Sequence, residues 1–229
     1  MIREFSLSEV WFLLLALRWT VLLTLVAFVG GTVGGSAIAI LRVARSPALR
    51  GAATIYIKVL QGTPLLLQLY LVYFGAPLLG LSANAWVSAA LALTLYASAF
   101  LGEIWRGCIQ AIPRVQWEGA QALALGHFLQ LRLVILPQAL RIAIPPTVGF
   151  LVQLLKGTSL ASIIGFTELT RAAQMVNNAT FRPFVTYGLV TLLYFVLCWP
   201  LSLSSRRLEH WLDREGIAAA RVRPVVVNT

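Results

Sequence analysis

Acidic residues are scarce in this sequence, 8 Asp and Glu against 18 Lys and Arg, and charged residues of all kinds make up only 11% of it. An ordinary soluble domain carries about 25%, so a water-soluble globular protein with a normal surface is excluded. Cysteine and histidine are scarcer still, two of each. Cys108 and Cys198 form no Cys-x-x-Cys pair, and His127 and His210 lack ligand-spaced partners. A metal centre and a disulfide framework are therefore not expected, and both thiols are read as free. No Gly-x-x-x-x-Gly-Lys-Ser/Thr loop occurs, since Lys156-Gly157-Thr158 lacks the glycine spacing and the strand-to-helix context, so nucleotide hydrolysis would fall to another subunit. Serine, histidine and acidic residues assemble into no nucleophile and base, which removes a membrane enzyme from consideration.

What is present is apolar sequence in long runs, 59% of the 229 residues. A spanning helix takes about 20 apolar residues, so an all-α polytopic membrane protein with about five spans fits the length and leaves no room for a separate soluble domain. The runs place the spans near 20–41, 62–79, 86–105, 146–166 and 184–203, in one domain covering 1–229. Trp11 to Trp19 reads as an interfacial lead, too long with the following run for a cleavable signal. Gly30, Gly31, Gly34 and Gly35 give small-xxx-small spacing suited to close helix packing. Pro47 reads as a breaker in the first connection, and Thr63 with Pro64 as the cap and first position of the second span. Glu103 and Arg106 stand three apart and should pair.

The net charge of +10 could suggest nucleic acid, but the cations sit between spans and not on one soluble face. Arg42, Arg45, Arg50, Lys58, Arg106, Arg114, Arg132, Arg141, Arg206, Arg207, Arg214, Arg221 and Arg223 fall on one side, with only Arg3, Arg171 and Arg182 on the other. The positive-inside bias then puts the N-terminus outside and the C-terminus in the cytoplasm.

Between the third and fourth spans runs a more polar island, Ile104 to Pro146, with helix signals of its own. Pro113 acts as breaker, Glu118 as a first-turn acid, and Ala120, Leu123 and Ala124 are spaced along one face. Pro137 closes the pattern, and Pro145 and Pro146 mark the start of the next span. Glu118-Gly119-Ala120, Ala124 and Val134-Ile135-Leu136-Pro137 resemble the cytoplasmic "EAA" loop of ABC-transporter permeases. Gly119 replaces the second Ala of that pattern, Ala124 its Gly and Val134 its Ile. Gly62-Thr63-Pro64-Leu65-Leu66, Ile109-Gln110-Ala111-Ile112-Pro113, Leu136-Pro137-Gln138-Ala139-Leu140-Arg141 and Lys156-Gly157-Thr158-Ser159-Leu160 are similar to the polar amino-acid uptake branch, so the likeness covers most of Gly62 to Glu168.

The resemblance implies a type I ABC importer permease fold in a bacterial inner membrane, a second permease subunit, identical or homologous, a cytoplasmic ATPase dimer and an extracytoplasmic amino-acid-binding protein. ATP and Mg would be used by the ATPase, with no cofactor on this chain and no nucleic acid among the partners, only membrane lipid around it. The loop over 106–141 would be the coupling element, through Glu118, Gly119, Ala120, Ala124, Gly126 and Pro137. From the residues alone, an interfacial helix lying on lipid is the competing reading of that loop. Lys156, placed mid-span, is costly there unless it meets water or a counter-charge such as Glu103 or Glu168, which makes it a path candidate. Gln68, Thr94, Ser98, Gln153, Thr158 and Ser159 are further path candidates, with helix-to-helix hydrogen bonding as the alternative. An ion-coupled secondary carrier and a structural membrane subunit are the readings from other classes. Carriers of the first kind usually show inverted repeats in a longer chain.

Overall fold

The computed structural model describes residues 4–44, 46–80, 82 and 84–214. Arg3, Arg45, Arg221, Arg223 and the tail over 217–229 lie outside the described residues. Everything described is helix or short connection: α1 (Leu7–Val43), α2 (Pro47–Gly62), α3 (Leu65–Leu78), α4 (Ala85–Gln110), α5 (Arg114–Ala122), α6 (His127–Leu129), α7 (Leu136–Gly157), α8 (Leu169–Thr180) and α9 (Pro183–Arg214). A π-helical stretch, Gln130–Ile135, leads into α7, and a 3₁₀ helix, Thr158–Ile164, follows it. Four helical stretches are long and apolar enough to cross a membrane, and the bent pair α2–α3 makes a fifth if it is one broken span. The described residues bear out the expected all-helical architecture, with four to five candidate spans where about five were expected.

Its centre is the pair α1 and α4, drawn together by glycine. A β-carbon on Gly31 would lie 2.4 Å from Ala97 Cβ, and one on Gly102 2.7 Å from Ile38 Cγ2. Gly30, Gly34 and Gly35 face Thr94, Ser98 and Leu101 at similar range. Without a hydrophobic drive between helices in lipid, such backbone approach is what holds spans together. Around it lies the main core, with Leu23, Ala27, Leu93 and Leu101 buried and Phe150 and Leu154 added by α7. At one end Trp19 meets Trp86 and Phe166 edge-on and those two meet at a tilt, with centroids 5.2–6.4 Å apart. At the other end Arg106 Nε donates to Glu103 Oε2 at 2.9 Å, the pair expected from spacing, and Arg42 of α1 reaches the same carboxylate at 3.7 Å.

Several expected boundaries are corrected. Trp11–Trp19 is not a separate lead, because α1 runs unbroken for 37 residues. Ser6 and Glu9 start it with a reciprocal capping box and no residue interrupts it. At 1.5 Å per residue it measures about 55 Å, well beyond a hydrocarbon core of about 30 Å. The first connection is itself a helix, α2, with Pro47 fitting its first turn and not breaking it. The helix expected from Gly62 begins at Leu65, because the chain turns by 103° between α2 and α3. Thr63 does not cap α3: its hydroxyl donates to the Val59 carbonyl at 2.8 Å. Gly75 and Pro77 lie inside α3.

The fourth span also shifts. Pro137 occupies the first turn of α7, and Pro145 and Pro146 lie in its interior and do not mark its start. Lys156 consequently falls in the last turn of α7, not at mid-span, and is exposed. Between the 3₁₀ helix and α9 lies the short helix α8. Its N-cap, Glu168, is fully buried and accepts from the amides of Thr170 (2.9 Å) and Arg171 (2.8 Å) and from the Tyr194 hydroxyl (3.1 Å). Burial holds this carboxyl above the usual carboxylate range, against those donors.

Candidate functional site

The island between α4 and α7 folds as a compact hairpin. Pro113, extended, ends the turn after α4 and allows α5 to begin at Arg114, so Glu118 sits in mid-helix and not in the first turn. Buried Ile109, Ile112, Ile135 and Ala139 fasten the hairpin to the ends of α4 and α7, with Val43 and Trp117 packed against them. Gln138 Nε2 donates to Gln116 Oε1 at 3.3 Å, and Trp117 stacks on His127 at 6.1 Å.

The end of α5 fixes the rest. Leu125 N donates to the Ala120 carbonyl (3.2 Å) and Ala124 N to the Gln121 carbonyl (2.8 Å), the two bonds of a Schellman termination. That termination puts the residue after the C-cap in the left-handed region, and Ala124 has φ 54°. Glycine is the residue that fits there without a Cβ penalty, which gives a physical reason for the Gly in the pattern and makes Ala124 a strained substitute. Gln130 Nε2 then donates to the Leu125 carbonyl at 2.6 Å and pins the turn.

Ala120 and Ala124 are therefore not neighbours on one helical face. Ala120 is 2% exposed and points into this chain, whereas Ala124 stands outside α5 and is exposed. What the hairpin presents outward is Glu118 and Gly119, with Val115, Leu123 and Phe128 each more than 70% exposed. Gly126 caps α6 and Pro137 lies on the far side of the π-helical stretch. Gln130 and Leu125 escaped the sequence reading. A glutamine five residues beyond an open carbonyl is too weak a local pattern to single out.

The path candidates divide. Gln68 is buried at the α2–α3 corner, its Nε2 donating to the carbonyls of Leu60 (2.7 Å) and Thr63 (3.0 Å). Thr94 faces Gly30, and Ser98 lies 2.6 Å from the Tyr56 hydroxyl while donating to the Leu95 carbonyl. Thr158 is fully buried and donates to the Leu155 carbonyl, and Ser159 donates to that of Lys156. Only Gln153 and Lys156 share an open face of α7, three residues apart, with Gln153 Nε2 donating to Tyr96 Oη at 3.1 Å. Among the described residues Lys156 pairs with neither Glu103 nor Glu168. Tyr56, which the sequence reading passed over, joins α2 to α4 through Ser98.

Residues 31–215 match the family model described as "Binding-protein-dependent transport system inner membrane component". The chain is 35% identical over 180 residues to the probable amino-acid ABC transporter permease protein YckA of Bacillus subtilis, covering 79% of this chain and 80% of that one. It is 34% identical over 197 residues to the L-cystine transport system permease protein TcyB of the same organism, covering 86% and 84%. A crystal structure of an amino acid ABC transporter with histidines superposes with a TM-score of 0.83 at 33% identity, over 93% of this chain and 100% of that one. The methionine transporter MetNI in inward-facing form shares the fold, with a TM-score of 0.75 at 19% identity over 95% and 100%. With apolar helices long enough to cross a membrane built on a glycine-packed pair, a structured hairpin between α4 and α7, and a family match across most of its length, the chain belongs to the binding-protein-dependent transport system inner membrane components.

Proposed function

We propose that this chain is the permease subunit of an ATP-driven importer of polar amino acids, and that the outward face of the α5–α6 hairpin receives a cytoplasmic ATPase. The observation that carries the reading is the hairpin's construction. Its inner side is packed into the ends of α4 and α7, and its outer side shows Val115, Leu123 and Phe128 to solvent beside Glu118. Movement imposed on such a body passes to two spans without being absorbed in a loose loop. ATP and Mg belong to the partner ATPase dimer. A second permease subunit, identical or homologous, completes the path, and an extracytoplasmic binding protein delivers the substrate. The names of the B. subtilis relatives support the amino-acid class.

The arginine-rich connections face the cytoplasm and the N-terminus lies outside. Gln153 and Lys156, open on one face of α7, border the path, where the ammonium meets a substrate carboxylate. Glu118, Gly119 and Leu123 are the contact residues of the hairpin, while Ala120, Ala124, Gly126 and Pro137 set its shape.

The test is reconstitution of the full complex with binding protein. Leu123→Asp and Glu118→Lys should each lower binding-protein-stimulated ATP hydrolysis by about tenfold or more, the scale of one lost contact worth about 1.4 kcal/mol. Intact stimulation in both variants, at unchanged membrane abundance, would reject the coupling face and return the hairpin to an interfacial helix on lipid.

A further inference from the structure

We infer that the cleft between α7 and the far end of α9 is a binding site for an anionic phospholipid, with Arg141 holding the phosphate and the apolar walls taking an acyl chain. The cleft has a volume of 370 Å³ and is lined by Arg141, Ile144, Leu208, Trp211 and Leu212. It lies at one end of two membrane-crossing helices, α7 and α9, which are tied together a turn deeper by Ser205 Oγ donating to the Pro145 carbonyl at 2.8 Å.

Three properties point to a lipid. The walls are apolar and open outward, with Ile144 46% and Trp211 53% exposed, as expected of a groove that an acyl chain fills from the side. Arg141 is exposed and makes no ion pair or hydrogen bond among the described residues, so its charge is available, and the described residues lining the cleft include no acid. Tryptophan beside arginine at a span end marks headgroup depth. Exposed Arg206 and Arg207 lie on the same stretch of α9, with Arg207 four residues before Trp211 and so on its flank. Basic clusters at a span end, with a cleft between helices, recognise anionic headgroups.

A second copy of this chain suits the cleft poorly. Isologous docking would bring Arg141 and Arg207 of each copy towards their counterparts, in a protein whose net charge is already +10.

The inference is independent of what is transported. It is tested on the full-length permease in detergent by native mass spectrometry, with phosphatidylglycerol and phosphatidylcholine of identical chains as probes. Phosphatidylglycerol should be retained about fivefold better, the effect of roughly one arginine near an anionic surface. Arg141→Gln should erase the preference and Arg141→Lys should keep it, while Ile144→Trp, which fills the groove, should lower retention of both lipids. On the unaltered protein, a phosphatidylglycerol bearing a photoreactive acyl chain should label peptides containing Ile144 and Leu208.

An undiminished preference in Arg141→Gln would overturn the proposal. So would displacement of the lipid by excess inorganic phosphate, which would leave only an anion site. Photolabel placed elsewhere, or a crosslink between two copies from a cysteine at Leu208, would equally reject it.

Discussion

Gly31 offers the sharpest test of how the spans are held. A methyl group there would sit 2.4 Å from Ala97 Cβ and 3.2 Å from the Ala97 carbonyl carbon, whereas carbon atoms pack at about 3.5–4.0 Å. Gly31→Ala must therefore part α1 from α4 by about 1 Å. The neighbouring contacts at Gly30, Gly34, Gly35 and Gly102 are set by the same approach and would loosen together. Overpacking of this kind costs about 1–3 kcal/mol, which for a chain of this size lowers the unfolding temperature by about 2–12 °C. Thermal unfolding of the purified permease in one detergent reads the effect directly. Two controls separate it from helix propensity. Gly51 lies in α2 with nothing within 4 Å of its would-be Cβ, so Gly51→Ala should raise stability by about 0.5–1 kcal/mol. Ala97→Gly removes the methyl that Gly31→Ala strikes, so the double variant should be more stable than the sum of the single effects predicts. A Gly31→Ala protein that unfolds at the parental temperature, or a double variant that is merely additive, would refute close backbone packing at this pair.

Four further outcomes are expected. Cysteines at Ser82 and Asn178, both exposed, should react with a membrane-impermeant reagent on intact cells in a background lacking Cys108 and Cys198, and one at Ala48 should not; the reverse pattern contradicts the orientation. Ala124→Gly, by relieving the left-handed strain at φ 54°, should stabilise the protein by about 1 kcal/mol, and a loss of stability would show that the Schellman termination is not the constraint. Lys156→Met should leave the unfolding temperature within about 2 °C, since no acidic partner is lost, while uptake falls by about tenfold or more; unchanged uptake removes the lysine from the path. For Glu168, whose carboxyl is held above its ordinary range by burial, the folded state binds the proton more tightly than the unfolded one. Its stabilising contribution is then present at low pH and lost as pH rises through the raised pKa. The unfolding temperature of the parent relative to Glu168→Gln should rise on going from about pH 7 to about pH 5, and a flat difference would contradict the burial argument.

The number of crossings was legible because hydropathy acts on whole windows of about 20 residues. The pairing of α1 with α4 was legible only in part. Gly30, Gly31, Gly34 and Gly35 announce a close neighbour, but nothing local to them says that the neighbour is Thr94, Ala97 and Ser98. Several of the misplaced boundaries share a cause, which is that a proline alone does not mark a helix boundary. Pro47 and Pro137 open helices, and Pro145 and Pro146 lie inside one, because a first turn has amides to spare and a packed span tolerates missing bonds that its neighbours satisfy.

The hairpin shows the same limit from the other side. Its existence could be read from Pro113 and the Glu118-Gly119-Ala120 pattern, but the spacing of Ala120 and Ala124 suggested one continuous small-residue face. The reversal at Leu123 breaks that face, turning Ala120 inward and leaving Ala124 in the left-handed region. A spacing of four equates to one helical face only while the helix lasts, and the signal that ends a helix is usually glycine. Here that signal was written as alanine, so helical spacing carried the reading one turn too far. It follows that the exposed surface of the hairpin is built from larger apolar residues, Val115, Leu123 and Phe128, whereas the small residues Ala120 and Ala124 sit at the turn that presents them.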